Sequence, residues 1–249
     1  MNTNEKTNRS LLILAMVIFG TVGIFRRYIP LASSVVALVR GIIGTLFLLG
    51  HLKIRGQHID QVSVRKRFPV LLISGAALGI NWILLFEAYL YTSVATATLC
   101  YYLAPILVIL GAAFFLRESL SLKKGICTAA ALVGMVFVSG VTESGGVKLS
   151  EMKGILFGLG AAVLYASVIL MNKRMTDIPA LDKTVFQLGF AALALLPYVL
   201  ITENLGQMQL EPLALILLFV MGIAHTGIAY LLDFGSMGGL KANTIALLS

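Results

Sequence analysis

Between Val94 and Leu116 the chain runs for 23 residues without a charged side chain. The hydrocarbon core of a bilayer offers no water to backbone amides, so a segment of this kind crosses it as a helix, for which about 20 residues suffice. Seven further apolar stretches read the same way: Leu11 to Phe25, Leu31 to Leu52, Phe68 to Tyr91, Gly125 to Val141, Gly154 to Met171, Thr184 to Ile201 and Pro212 to Ser236. A partial ninth starts near Ala242. At 59% hydrophobic and 12% charged residues, the chain has too little polar surface to coat a soluble globule. The expected fold is an all-α integral membrane protein.

An internal echo organises these spans. GINWILLF, from Gly79 to Phe86, returns 148 residues later as GIAYLLDF, from Gly227 to Phe234, with Trp82 aligned on Tyr230. The copies lie five spans apart, and because each span reverses direction an odd separation makes them antiparallel. Inverted repeats are an architecture of secondary transporters. A weaker match at a shift of 146 aligns Val17, Phe19, Thr21 and Arg27 with Val163, Tyr165, Ser167 and Lys173. The first repeat is expected over residues 1–141, a linker over 142–153 and the second repeat over 154–249. Since Ser249 falls opposite Tyr101, the second copy breaks off within the ninth span, and the expectation is a fragment of a longer ten-helix plan.

Charge placement predicts orientation. Of the 19 Lys and Arg residues, 14 fall in segments that are cytoplasmic if the N-terminus is inside, 4 fall in external loops, and Arg40 lies within a span. The positive-inside rule therefore puts the N-terminus in the cytoplasm. The net charge of +8 is distributed between spans rather than along a basic stripe, so no nucleic-acid partner is expected. Arg26 and Arg27 stand where a signal peptidase would cut, and another span follows at once, which argues against a cleaved leader. Cys100 and Cys127 both sit in apolar runs and read as small hydrophobes. No HExxH, P-loop or Cys-x-x-Cys occurs, and His51 and His58 belong to a basic loop, so no metal, cofactor or catalytic residue is assigned.

Arg40 in the second span, AYLYTSVATATLCYYLAPILV across the third and fourth, LRESLSLKKG after the fourth and HTGIAYLL in the eighth recur in order over both halves. In these features the chain resembles the EamA family of the drug/metabolite transporter superfamily. The resemblance implies ten helices in two inverted five-helix repeats around a cavity open alternately to each side. It further implies export of amino acids or related small metabolites across a bacterial plasma membrane. The second-repeat counterpart of Tyr101 is Ser249, and those of Tyr102 and Pro105 fall past it.

Candidate transport-path residues follow from helical angles. At about 100° per residue, Gly222, His225, Ala229, Asp233 and Ser236 share one narrow face of the eighth span. Ionisable groups facing lipid are costly, so this face is expected toward the bundle interior or a watered path. The repeat carries the face to Asn81 on the third span, whose amide could read a polar solute or bond a neighbouring helix. Trp82, Tyr101, Tyr102 and Tyr230 are candidates for an aromatic lining, although Tyr101 and Tyr102, 100° apart, are not expected to face a cavity squarely together. Pro105 reads as a kink. Glu87 points away from Asn81 and is expected to pair with Arg40, with proton coupling as the alternative. Gly154, Gly158, Ala162 and Ala166, at every fourth position, form a packing ridge against another helix or a second protomer. Asp233 is the leading acid for proton antiport, whereas a facilitative carrier needs none. A membrane-embedded enzyme or non-transporting subunit is the competing class; its converging nucleophile, base or metal ligands are missing from this pattern.

Overall fold

A computed structural model describes residues 3–26, 28–116, 126, 129–130, 133, 151–208 and 211–248. The expected fifth span and the linker fall almost entirely outside these residues. The described elements are α1 (Thr3–Arg26), α2 (Ser33–Ile54), α3 (Gln61–Tyr91), α4 (Val94–Tyr101), α5 (Ala104–Phe115), α6 (Met152–Arg174), α7 (Ala180–Thr202), α8 (Pro212–Met237) and α9 (Ala242–Leu248). Among the described residues, six helical segments are long and apolar enough to cross a membrane: α2, α3, α4 with α5, α6, α7 and α8. The molecule is an all-α, multi-pass membrane protein.

Helix α3 starts at Gln61, seven residues before the expected Phe68. Asp60 is the reason, because its carboxylate accepts the Ser63 N–H at 3.2 Å and caps the first turn. Hydrogen bonding from Ser63 holds the Asp60 carboxyl below its ordinary value. One turn further on, Arg67 Nε meets Asp177 at 2.9 Å, and that hydrogen bond likewise holds the Asp177 carboxyl low. The Asp60 backbone N–H in turn donates to Asp182 on α7 at 2.9 Å.

Direct bonds sort the helix termini into two ends of the bundle. At the first end Ser34 donates to Glu203, and Thr92 donates to Glu151 at 3.3 Å, bringing together the starts of α2 and α6 and the ends of α3 and α7. At the second end Arg174 donates to the Phe115 carbonyl at 2.7 Å, and Lys173 to that of Leu240. Helices α1 and α2 both pack on α8, α2 also packs on α7, α3 packs on α6 and α7, α4 and α5 pack on α6, and α9 packs on α5.

Small residues make these contacts close. A Cβ at Gly79 of α3 would lie 2.6 Å from the Ala191 carbonyl oxygen of α7, and one at Gly75 would lie 2.9 Å from that of Gln187. Its repeat partner Gly227 serves a different neighbour, with Phe47 of α2 at 2.9 Å. The ridge on α6 packs within the chain: a Cβ at Gly154 would meet Thr92 at 2.6 Å and one at Gly158 would meet Cys100 at 2.9 Å, while Ala162 and Ala166 are buried.

Because the obstacle at Gly79 is backbone, Gly79→Ala forces α3 away from α7 and costs roughly 1–3 kcal/mol. Gly50 has open space around its Cβ position, so Gly50→Ala is neutral or stabilising by up to about 1 kcal/mol. Thermal unfolding in detergent, followed through the fluorescence of the single tryptophan Trp82, measures both.

Candidate functional site

Two departures from regular helix shape the middle of the bundle. The fourth span breaks between α4 and α5: Pro105 stands in the first turn of α5 and has no N–H to return to the Tyr101 carbonyl. The break reorients the chain at Tyr102 and Leu103, so Tyr101 and Tyr102 both line one cavity, against the expectation from an unbroken helix. In α8 the residues Met221–Ile228 are π-helical, and the Thr226 hydroxyl reaches back five residues to the Met221 carbonyl at 3.2 Å. Each π turn takes an extra residue, so angles projected at 100° per residue fail across this segment.

The cavity occupies about 480 Å³. Phe19, Trp82, Phe86, Tyr89, Tyr165 and Tyr230 give it aromatic walls, which Tyr101 and Tyr102 extend. It starts at the first end of the bundle, beside Ser33 and Tyr89, and reaches inward to Tyr165, Tyr230 and Ala246. The aligned pair Trp82 and Tyr230 packs together in its wall with ring centroids 6.0 Å apart, Phe19 packs edge-on to Tyr230 at 5.0 Å, and Tyr101 lies 5.6 Å from Tyr165.

Arg40 is the charged member of the lining. Its guanidinium stands 5.3 Å above the Trp82 ring, and its Nε has no hydrogen-bond partner. The expected Arg40 to Glu87 ion pair does not form. Glu87 instead accepts the Tyr198 hydroxyl of α7, because it points to the side of α3 that packs there and not toward Arg40. The ion pairs among the described residues are Arg9 with Glu5 and Arg67 with Asp177.

Three expected path residues lie behind the walls. Asn81 is fully buried and donates to the Ala161 carbonyl of α6 at 2.6 Å, so its amide pins α3 to α6. His225, displaced by the π segment, bonds Thr21 of α1 through Nε2 at 2.9 Å and packs on Phe25 with centroids 4.8 Å apart. Asp233 is also fully buried, and neither carboxylate oxygen has a hydrogen-bond partner. Its cationic neighbour is Lys183 of α7, whose Nζ donates to the Phe234 carbonyl at 3.2 Å.

Sequence reasoning missed Tyr165, Tyr89 and Phe19 as lining residues. A signal existed for two of them, since Phe19 and Tyr165 are matched by the weaker of the two repeat shifts. Arg40 was visible as the basic residue inside a span, but its place on the cavity wall was not.

The model of the EamA-like transporter family matches residues 9–140 and 152–249. The chain belongs to this family. The family lies within the drug/metabolite transporter superfamily, and membership assigns the protein to secondary transport rather than catalysis. The transporter is 31% identical over 238 residues to the "uncharacterized transporter YxxF" of Bacillus subtilis (strain 168), covering 95% of this chain and 75% of that protein. A solved crystal structure superposes with a TM-score of 0.79 at 21% identity, over 98% of this chain and 86% of the other, a likeness of fold. The transporter is thus a multi-pass bacterial membrane protein.

A water-filled cavity should admit polar reagents where the lipid face does not. With Cys100 and Cys127 replaced by serine, Ser33→Cys and Tyr89→Cys should react with a membrane-impermeant maleimide. Leu46→Cys, on a face that is 61% exposed in the isolated bundle and therefore in lipid, should stay unmodified. Mass spectrometry of the labelled protein reads the difference.

Proposed function

We propose that this transporter exports amino acids or related small metabolites by alternating access. Two inverted five-helix repeats, residues 1–141 and the repeat that begins at 154, rock around the aromatic cavity, with 142–153 as their connection. The observation that carries the reading is the cavity itself, lined by aromatic side chains and Arg40 from helices of both halves; alternating access takes the first end, beside Ser33 and Tyr89, as its open mouth and the second end as closed.

The exchange of partners between halves supports the inverted plan. Helix α1 packs on α8 as α6 packs on α3, and α2 packs on α8 as α7 packs on α3. Thr92 and Gly239 also stand at opposite ends of the bundle, since Thr92 abuts Gly154 and Gly239 abuts Asn8 near the chain start. At the closed end Lys173 and Lys183 donate to carbonyls at the end of α8 and beyond it, a favourable place for cations because carbonyls at a helix C-terminus carry partial negative charge. Opening that end requires α8 to leave both lysines.

The distribution of basic residues supports a cytoplasmic N-terminus, with the open mouth outside. Thr92→Cys should be labelled from outside intact cells and Lys241→Cys only after the membrane is permeabilised. Labelling of both from one side would refute the inversion.

Asp233 is the acid proposed to couple a proton to transport. It is buried, lacks hydrogen-bond partners, and interacts electrostatically with Lys183 and with the cavity tyrosines Tyr101, Tyr165 and Tyr230. In proteoliposomes, an imposed pH gradient should accelerate net flux of the wild type. Asp233→Asn should abolish that response and retain solute-for-solute exchange. Wild-type flux indifferent to the gradient would instead establish facilitative carriage.

A further inference from the structure

We infer that the cavity is built for an organic anion with a flat apolar body, a carboxylate seated on Arg40 and its body between the aromatic walls, in preference to a zwitterion or a cation. The inference rests on the transport reading and narrows its substrate class, from amino acids to related metabolites that carry a carboxylate without an ammonium group. It starts from a charge imbalance. Among the described residues Arg40 is the lone formal charge on the cavity lining, where the remaining titratable side chains are tyrosines. A cation held within a membrane protein usually has a carboxylate or backbone carbonyls as partner. Here the nearest candidates are committed elsewhere: Glu87 to Tyr198, and Asp233 to the far side of the wall beside Lys183. Of the described carboxylates at the mouth end, Glu151 accepts from Thr92, and Glu203 and Glu211 line a separate cavity of about 440 Å³. His225 lies behind the wall and brings no negative charge.

Arg40 therefore presents donors to a space that contains no counter-ion from the described protein. Its Nε has no protein partner, and guanidinium geometry matches a carboxylate by two parallel N–H bonds. Trp82 beneath the guanidinium holds it by a cation–π contact and leaves its edge free for an anion. The solute's carboxylate supplies the missing charge.

The same accounting works against an ammonium group. A zwitterion seated on Arg40 would bring its cation into a wall without a carboxylate. The remaining compensation is aromatic, and the Trp82 face, the best of these platforms, is already covered by Arg40. A bare cation would add repulsion from Arg40 itself. The aromatic side chains along the wall, packed on one another, present ring faces and edges to the cavity on which a planar body can lie.

Three compounds with one indole body and different charge isolate the claim: indole-3-acetate, tryptophan and tryptamine. Calorimetric titration into the full chain in detergent should rank indole-3-acetate first, tryptophan roughly tenfold or more weaker, and tryptamine without measurable binding, the spread expected of a charge-assisted hydrogen bond. Arg40→Gln should weaken indole-3-acetate by roughly tenfold to a hundredfold and erase the ranking, while Arg40→Lys restores part of it. The wild-type ranking needs no variant, so the test stands even where Arg40→Gln fails to fold. Equal or tighter binding of tryptophan or tryptamine overturns the inference, as does an Arg40→Gln affinity within twofold of wild type. Failure of all three to bind overturns it too. Saturable counterflow of any other solute in proteoliposomes would then keep the transport reading intact and show that only the substrate class was wrong.

Discussion

The bundle depends on close approach of helix backbones at glycine. Lipid tails are as apolar as leucine, so helices in a bilayer gain little from hydrophobic burial and associate through packing and interhelical hydrogen bonds. Gly75 and Gly79 let α3 lie against the α7 backbone, Gly154 and Gly158 let α6 lie against the end of α3 and against α4 at Ala97 and Cys100, and Gly44 brings α2 within contact of α8. A methyl group at Gly79 would press on the Ala191 carbonyl oxygen at 2.6 Å and on the Ala191 Cα and Ala194 Cβ at 3.0 Å, none of which can swing aside. With the helices this close along their small faces, the bulky side chains, above all the aromatic ones, gather elsewhere, and a group of them encloses the cavity.

Polar side chains act as fasteners in the same dry interior. Asn81 holds α3 to α6, Gln187 donates to Ser74 at 2.6 Å to hold α7 to α3, and the Tyr198 hydroxyl holds α7 to Glu87. Each satisfies a group whose isolation in an apolar setting would cost free energy. Several residues that look functional by type are therefore structural by position. Asn81 and Glu87 have found partners on packed helices, whereas Arg40 lies over Trp82 on the cavity wall.

Irregular backbone is concentrated beside the cavity. Pro105 interrupts the fourth span where Tyr101 and Tyr102 enter the lining, and the π segment of α8 ends immediately before Ala229 and Tyr230. Non-α geometry within the membrane is tolerated where protein or a watered cavity surrounds it. Both features re-aim side chains over a short stretch, so adjacent tyrosines on α4 share a wall and His225 turns toward α1. They also give the two halves places where helices can bend without unfolding.

Much of this architecture is legible in the residues alone. Uncharged runs of about 20 residues can only be helices in lipid, which is why α2 and α6 to α8 stand close to where hydropathy puts them. The GINWILLF and GIAYLLDF echo likewise exposed Trp82 and Tyr230, which pack together on the cavity wall. What composition and spacing leave undecided is direction. Whether Asn81 reads a solute or a carbonyl of α6, whether Glu87 answers Arg40 or Tyr198, and which wall His225 faces all turn on helix rotation and on the π and proline irregularities. A periodic projection assumes those away. Only three-dimensional packing assigns partners to buried polar groups, because each such group bonds to whatever neighbour the close contacts at glycine bring within reach.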